Sequence, residues 1–299
     1  MSILRNVITS VAMLAASLLP AVAQEKVKVL ATFSILADFA KQVGGDRVEV
    51  ASLVGPNGDA HVFQPSPADA RKVTEARLVV LNGLGLEGWF ERFVKASGAK
   101  PRLVIASQHA KLIAAGKGDG HNHGSYDPHA WQDIGNAKAY VADIRDGLIA
   151  ADPTGKAGYE ANATAYLQKL DQLEADVKSA IAAIPPERRR VITTHDAFGY
   201  FAKAYGIRFI APQGVSTESE ATARDVARII RQVKAEKIPA VFLENVSDDR
   251  LMQRIGKEAG AKIGGKVYSD ALSDASGPAG TYIDMMRNNI SQFTAALKP

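Results

Sequence analysis

Residues 152–186 read DPTGKAGYEANATAYLQKLDQLEADVKSAIAAIPP, and this stretch divides the chain. Asp152-Pro153 is a helix-start signal and Pro185-Pro186 a stop, because proline suits a first helical turn and breaks an interior one. Between them Tyr159, Ala163, Tyr166, Leu170, Leu173, Val177, Ile181 and Ile184 fall at three- and four-residue steps. That spacing makes a single apolar stripe on a helix. Thirty residues of helix span ~45 Å, too long for a crossover inside a small sheet. The stretch therefore predicts a rigid spine joining two lobes, with an ordinary surface helix of one domain as the alternative. A helix resists hinge motion more than a strand or a glycine-rich linker. Binding between such lobes is expected to order loops and adjust the lobes slightly, not to swing them shut.

On either side of the spine, short apolar β-rich runs alternate with longer helical ones. Before it, strands are expected at Val27–Thr32, Val48–Leu53, Leu78–Leu81 and Arg102–Ile105, with helices at Ile35–Val43, Pro67–Ala76 and Leu84–Ser97. After it, strands are expected at Val191–Thr194, Arg208–Ala211, Ala240–Glu244 and Gly264–Val267, with helices at Phe198–Tyr205, Glu220–Glu236 and Arg250–Ala259. Near-continuous Val/Leu/Ile strands separated by helices indicate parallel sheets covered on both faces. The fold class is α/β: two lobes with parallel sheets flanked by helices, joined by one long rigid α-helix. The expected organisation is a signal peptide at 1–23, an N-terminal lobe at 24–151, the linking helix at 152–185 and a C-terminal lobe at 186–299.

The N-terminus carries an export signal. Arg5 supplies a positive n-region, Val7–Leu19 is apolar and uncharged, and Ala21-Val22-Ala23 is a small-x-small cleavage pattern, placing the mature start at Gln24. The apolar run is shorter than the ~18 residues of a membrane span. The chain has no cysteine, so it uses no disulfide and offers no thiol for a lipid anchor. A free periplasmic protein of a Gram-negative bacterium is the expected location. Net charge is +4, with acids and bases interspersed. No basic block interleaved with aromatics is present, and Arg188-Arg189-Arg190 is only three residues long, so nucleic-acid binding is not expected.

Four potential metal ligands stand in turn-like contexts at or just beyond strand ends: His61, His129, His195 and Asp270. They are separated by 68 (61 to 129), 66 (129 to 195) and 75 (195 to 270) residues. Local zinc motifs place their ligands a few residues apart, whereas these four meet only in a tertiary fold. Three imidazoles and a carboxylate suit a borderline-soft divalent ion and can close a tetrahedral zinc site. Open α/β sheets bind ligands outside the carboxyl ends of their strands, so the quartet points to an ion held between the lobes. His109 has no supporting turn motif and is left out. The glycine-rich segment Gly116–Gly124 carries His121 and His123 and reads as an exposed loop, either a plain linker or a weak secondary zinc trap.

Asp59-Ala60-His61 with Gln64-Pro65-Ser66-Pro67, Leu81-Asn82-Gly83-Leu84, and Asp127-Pro128-His129-Ala130-Trp131 together resemble the metal-binding receptors of bacterial zinc and manganese ABC importers, the cluster A-I solute-binding proteins. Thr194-His195-Asp196-Ala197-Phe198, Tyr205-Gly206, Gly214-Val215-Ser216 and Leu243-Glu244 continue the likeness in order, over Lys26 to Leu297. The resemblance implies two α/β lobes joined by a long helix, with the metal in the cleft. It assigns His61, His129, His195 and Asp270 as ligands, as in the zinc-binding subgroup with three histidines and one aspartate. It also implies no enzymatic activity, a membrane permease as partner, a periplasmic metallochaperone as a further one, and a monomeric receptor.

Manganese-selective relatives are expected to carry a carboxylate where this chain has His195. Three imidazoles with one carboxylate favour Zn(II) as the transported ion, because manganese prefers oxygen; a Mn(II) receptor of the same fold is the alternative. Glu218, Glu220 and Glu244 are candidates for orienting the imidazoles. Two other function classes keep the same residues. A periplasmic zinc hydrolase would use three ligands with Asp270 or Glu244 as base, and no His-Glu-x-x-His or Gly-x-Ser-x-Gly element supports it. A static zinc buffer or adhesin would keep the site without a permease.

Overall fold

The computed structural model describes residues 25–115 and 125–298. The export signal and the segment with His121 and His123 lie outside the described residues. The first sheet contains β1 (Val27–Phe33), β2 (Val48–Val54), β3 (Leu78–Leu81) and β4 (Leu103–Ile105) in the order β2-β1-β3-β4. The second contains β5 (Arg190–Ile192), β6 (Arg208–Ile210), β7 (Ala240–Glu244) and β8 (Lys262–Val267) in the order β6-β5-β7-β8. Every strand pair is parallel, running for example from Val27 opposite Val48 to Phe33 opposite Val54. The two sheets share one topology: the chain leaves the first strand to one side and then returns on the other. Each sheet thus has a switch point, β1/β3 and β5/β7, where the strand ends splay and leave room for a ligand.

Helices α1 (Ser34–Gly44), α2 (Pro67–Glu75), α3 (Phe90–Ser97) and α4 (Ile134–Ala151) accompany the first sheet. The long helix α5 (Lys156–Ala182) follows, then α6 (Gly199–Tyr205), α7 (Ala223–Glu236), α8 (Asp249–Ala259) and α9 (Tyr282–Leu297). Helices α4 and α9 lie outside the elements read from the sequence. Among the described residues no helix is long and apolar enough to cross a membrane.

Helix α5 has 27 residues, about 40 Å of rise, and begins after a 3₁₀ turn at Pro153–Gly155. Its buried residues are Tyr159, Ala163, Tyr166, Leu170, Leu173, Val177 and Ile181, the stripe read from the sequence. The stripe lies against α1 and α4 on the first side and α6 and α9 on the second. One continuous core therefore runs from β1 through α5 to α9. A smaller one, around Ile229, Val233, Met252 and Ile255, sits under α7 and α8.

The arginine run is structural. Arg188 Nε donates to the Leu297 carbonyl at the end of α9 (2.6 Å), and Arg189 Nε to the Ile184 carbonyl just past α5 (2.9 Å). Arg190 Nη1 meets Glu236 Oε2 of α7 at 3.4 Å. Carbonyls left free at a helix end attract such cations. Three lobe elements are fastened at one point, and the run presents no free basic patch.

Residues 84–97 depart from expectation. Helix α3 starts only at Phe90, because Gly83, Leu84 and Gly85 all have positive φ (81°, 57° and 85°). The buried carboxylate of Glu87 forces this path. It accepts from Asn82 N at 2.7 Å, Gly83 N at 3.1 Å and Thr32 Oγ1 at 2.6 Å. Left-handed backbone at a leucine is costly, and the three hydrogen bonds to one buried carboxylate hold it there.

Candidate metal centre

The four candidate ligands arrive on loops from both sheets. His61 lies between β2 and α2. His129 immediately precedes the 3₁₀ turn Ala130–Gln132 that leads into α4. His195 follows β5, and Asp270 follows β8. Their ligand atoms all lie within 4.8 Å of one another, and all four residues are buried. His61 is 6% exposed, and the other three are fully enclosed.

The contacts have the dimensions of a coordination shell. His61 Nε2 is 3.3 Å from His129 Nε2 and 3.2 Å from Asp270 Oδ2. Asp270 Oδ2 is 3.0 Å from His195 Nε2, and Asp270 Oδ1 is 3.6 Å from His129 Nε2. Zinc bonds of ~2.0–2.1 Å at tetrahedral angles give ligand–ligand edges of about 3.3 Å. The buried Asp270 Oδ1 has no hydrogen-bond partner among the described residues. A lone buried carboxylate oxygen is costly without a counter-charge, and a divalent cation among these donors would supply one.

Local turns explain how each imidazole is aimed. In both Asp-x-His segments the aspartate accepts the histidine's backbone N–H: Asp59 Oδ1 from His61 N and Asp127 Oδ1 from His129 N, each at 2.9 Å. Asp127 Oδ1 also accepts from His129 Nδ1 at 2.7 Å. Holding the proton on Nδ1 leaves the Nε2 lone pair for a metal. Behind this loop Asn82 Nδ2 donates to the Pro128 carbonyl at 2.9 Å, and Tyr140 Oη donates to Asn82 Oδ1 at 2.6 Å. Trp89 Nε1 donates to the Ala60 carbonyl at 2.9 Å and steadies the His61 loop.

Glu244, at the end of β7, does the corresponding work in the second sheet. Its Oε1 accepts from Thr194 N (2.6 Å) and His195 N (3.0 Å), while Oε2 stands 2.6 Å from His195 Nδ1. Of the three glutamates considered from the sequence, Glu244 alone is buried; Glu218 and Glu220 are exposed. Asp270 is steadied from the other lobe, where Trp131 Nε1 and Gln132 Nε2 donate to the Ser269 carbonyl at 2.9 and 2.7 Å.

Electrostatics prepare the pocket for positive charge. Burial disfavours a charged His129, but the carboxylates of Asp270 and Asp127 outweigh it and push the imidazole up to about 9. His195 goes the same way, with Glu244 and Asp270 overcoming burial. His61 is lowered, because burial dominates and Asp270 offsets it only in part. Asp270 is held well below the usual range: burial opposes its charge, and His195 and His129 overcome that. A cation entering here replaces protons that the carboxylates already attract.

The structure thus brings together all four residues singled out in the sequence. His109 stays apart, its exposed ring paired through Nδ1 with Asp143 Oδ1 at 2.5 Å. Sequence reasoning missed the supports Asp127, Asn82, Trp131 and Gln132. The repeated Asp-x-His spacing was the one local signal that could have found Asp127.

Two α/β lobes whose strand-end loops converge four buried donors on one point define a metal-capturing receptor. Residues 29–296 match the ZnuA family, zinc-uptake complex component A, periplasmic. The chain is 35% identical over 273 residues to the manganese-binding lipoprotein MntA of Halalkalibacterium halodurans, covering 91% of this chain and 89% of that one. It is 34% identical over 271 residues to the iron-binding protein YfeA of Yersinia pestis, with coverages of 91% and 86%. Its fold matches the periplasmic zinc binding protein TroA of Treponema pallidum with a TM-score of 0.85, at 30% identity over 92% of this chain and 100% of that one. A manganese-bound periplasmic metal binding protein from Candidatus Liberibacter asiaticus matches with a TM-score of 0.81, at 29% identity over 91% and 100%. The chain belongs to this family of metal-binding receptors of ABC importers, and it is a receptor, not an enzyme.

Proposed function

We propose that the cargo ion is zinc, held by His61, His129, His195 and Asp270 and handed to the membrane permease of the importer. The observation that carries this reading is the donor set: three buried Nε2 atoms and one carboxylate, all within 4.8 Å of one another and with four contacts at 3.0–3.6 Å. Nitrogen-rich tetrahedral donors favour zinc over manganese. One chain supplies all four donors, so a monomer has a complete site. Export by residues 1–23 to the periplasm fits this role.

Manganese is the second reading, and a specific feature favours it. Asp270 turns both oxygens toward the imidazoles, and a carboxylate bound through both would give the oxygen-richer shell that manganese prefers. MntA, the relative at 35% identity, is named for manganese. Elemental analysis of protein recovered from cells supplied equally with both metals decides between them. Zinc should predominate, and a preponderance of manganese would overturn the zinc reading.

A further inference from the structure

We propose that Thr217 is a positioning residue for His61, gripping the ligand loop from the opposite lobe through the carboxylate of Asp59. This rests on His61 being a metal ligand and concerns what keeps it in place.

The four donors are not held alike. His129 and Asp270 are tied together across the seam between the lobes by buried groups. Trp131 and Gln132 donate to the Ser269 carbonyl, and Tyr282 Oη donates to the Trp131 carbonyl at 2.7 Å. His195 is fastened within its own lobe by Glu244. His61 sits instead on the β2–α2 loop, where Asp59, two residues before it, is half-buried and Val62, next to it, is 46% exposed.

The Asp59 side chain links the His61 turn to the second lobe with one bond on each oxygen. Asp59 Oδ1 accepts from His61 N at 2.9 Å, and Asp59 Oδ2 accepts from Thr217 Oγ1 at 2.6 Å. Thr217 lies beyond β6, 158 residues along the chain, in a stretch with neither helix nor strand. A hydroxyl bound to a carboxylate is among the stronger neutral–charged hydrogen bonds. With both oxygens engaged, Asp59 cannot rotate without losing one partner. If the lobes separate there, Oδ2 is freed, the carboxylate can turn, and the bond that shapes the His61 turn is weakened. Asn57 adds three more ties, its N–H donating to the Leu272 carbonyl at 2.8 Å, its Nδ2 to Asp274 Oδ2 at 3.2 Å and its Oδ1 accepting from Asn245 Nδ2 at 3.2 Å, but it lies four residues before His61 and none of these bonds engages the Asp59 carboxylate. Thr217 contributes no donor to the ion, so it governs how long the ion stays and leaves unchanged which ion is preferred.

The test is stopped-flow transfer of zinc from loaded protein to an excess of a chromophoric chelator, for wild type, Thr217→Val and Thr217→Ser. Valine keeps the shape and removes the hydroxyl; serine keeps the hydroxyl. Release from Thr217→Val should be about tenfold faster, with the zinc-to-manganese ratio of dissociation constants within about twofold of wild type, and Thr217→Ser should restore the slow rate. A Thr217→Val rate within twofold of wild type overturns the proposal, as does failure of serine to rescue or a shifted metal ratio. Melting of the metal-free proteins separates positioning from folding: unchanged midpoints support it, and a metal-free loss as large as the metal-loaded one overturns it. His61→Ala tests the underlying reading independently. If that variant bound zinc as tightly as wild type, His61 would not be a ligand, whatever Thr217 did.

Discussion

Replacing Glu244 by glutamine should cost the receptor 10–100-fold in zinc affinity while leaving the fold intact. The side chain keeps its size, and the amide oxygen can still accept from Thr194 N and His195 N as Glu244 Oε1 does. The amide nitrogen then occupies the place of Oε2, 2.6 Å from His195 Nδ1. Turning the amide over is worse, because its NH₂ would face two backbone donors. With a donor beside Nδ1, the imidazole prefers to carry its proton on Nε2, the atom that must be bare to bind metal. Binding therefore forces the proton back to Nδ1, donor against donor, in a site without solvent. An unsatisfied buried donor costs ~1–3 kcal/mol, and about 1.4 kcal/mol is tenfold. This agrees with the 10–100-fold usual for groups that orient metal-bound histidines. The assay is competition against a chromophoric chelator, with Glu218→Gln as a control on an exposed neighbour. Nitrogen chemical shifts of the His195 ring in the metal-free protein would report which ring nitrogens carry protons, both in wild type and Nε2 alone in the variant. Glu244→Gln affinity within threefold of wild type, or a ring protonated as in wild type, would refute the reasoning.

Three further outcomes are expected. His195→Glu should lower the ratio of zinc to manganese affinity in competition titrations, since it exchanges a nitrogen for a second carboxylate; an unchanged or higher ratio would remove His195 as the discriminating ligand. Small-angle scattering should show almost no change in radius of gyration on metal binding, because α5 packs against helices of both lobes; a change of several ångströms would contradict the rigid spine. Acid should weaken the start of that spine: burial works against charge on Asp152, yet hydrogen bonds from Thr154, Arg47 and Tyr159 hold it down to about 2. The folded value lies below the ordinary 3.8, so this stabilisation is full above about pH 4 and is lost as pH falls through about 2. With Arg47 partly in solvent, it is worth ~1–2 kcal/mol. Asp152→Asn should accordingly lower the melting point at pH 7 and flatten its decline between pH 4 and 2, and a parallel decline in both proteins would count against it.

Much of this protein is legible in its residues alone. The α5 stripe could be read because helical periodicity is local: Tyr159 through Ile181 repeat at the spacing of the turn, whatever they pack against. The inner strands β1, β3 and β7 could be read because both faces are covered there, which leaves runs of apolar residues. His61, His129, His195 and Asp270 could be named because ligand chemistry restricts residue type and each stands in a turn-like context between elements. Tertiary structure alone decided how they are held. Glu244 resembles Glu218 and Glu220 in sequence, and only the pairing of β5 with β7 buries it beside His195. Trp131 belongs to the Asp-Pro-His-Ala-Trp element and Gln132 follows it, but neither has a role legible in sequence until the seam between lobes places them on the Ser269 carbonyl. The late start of α3 follows from Glu87 gathering hydrogen bonds from Asn82, Gly83 and the distant Thr32, and no helical propensity in Leu84–Trp89 records that. Periodicity and ligand chemistry act within a few bonds of each residue. Burial, tautomer and the grip of one lobe on the other depend on partners tens to hundreds of residues away, and these exist only once the chain has folded.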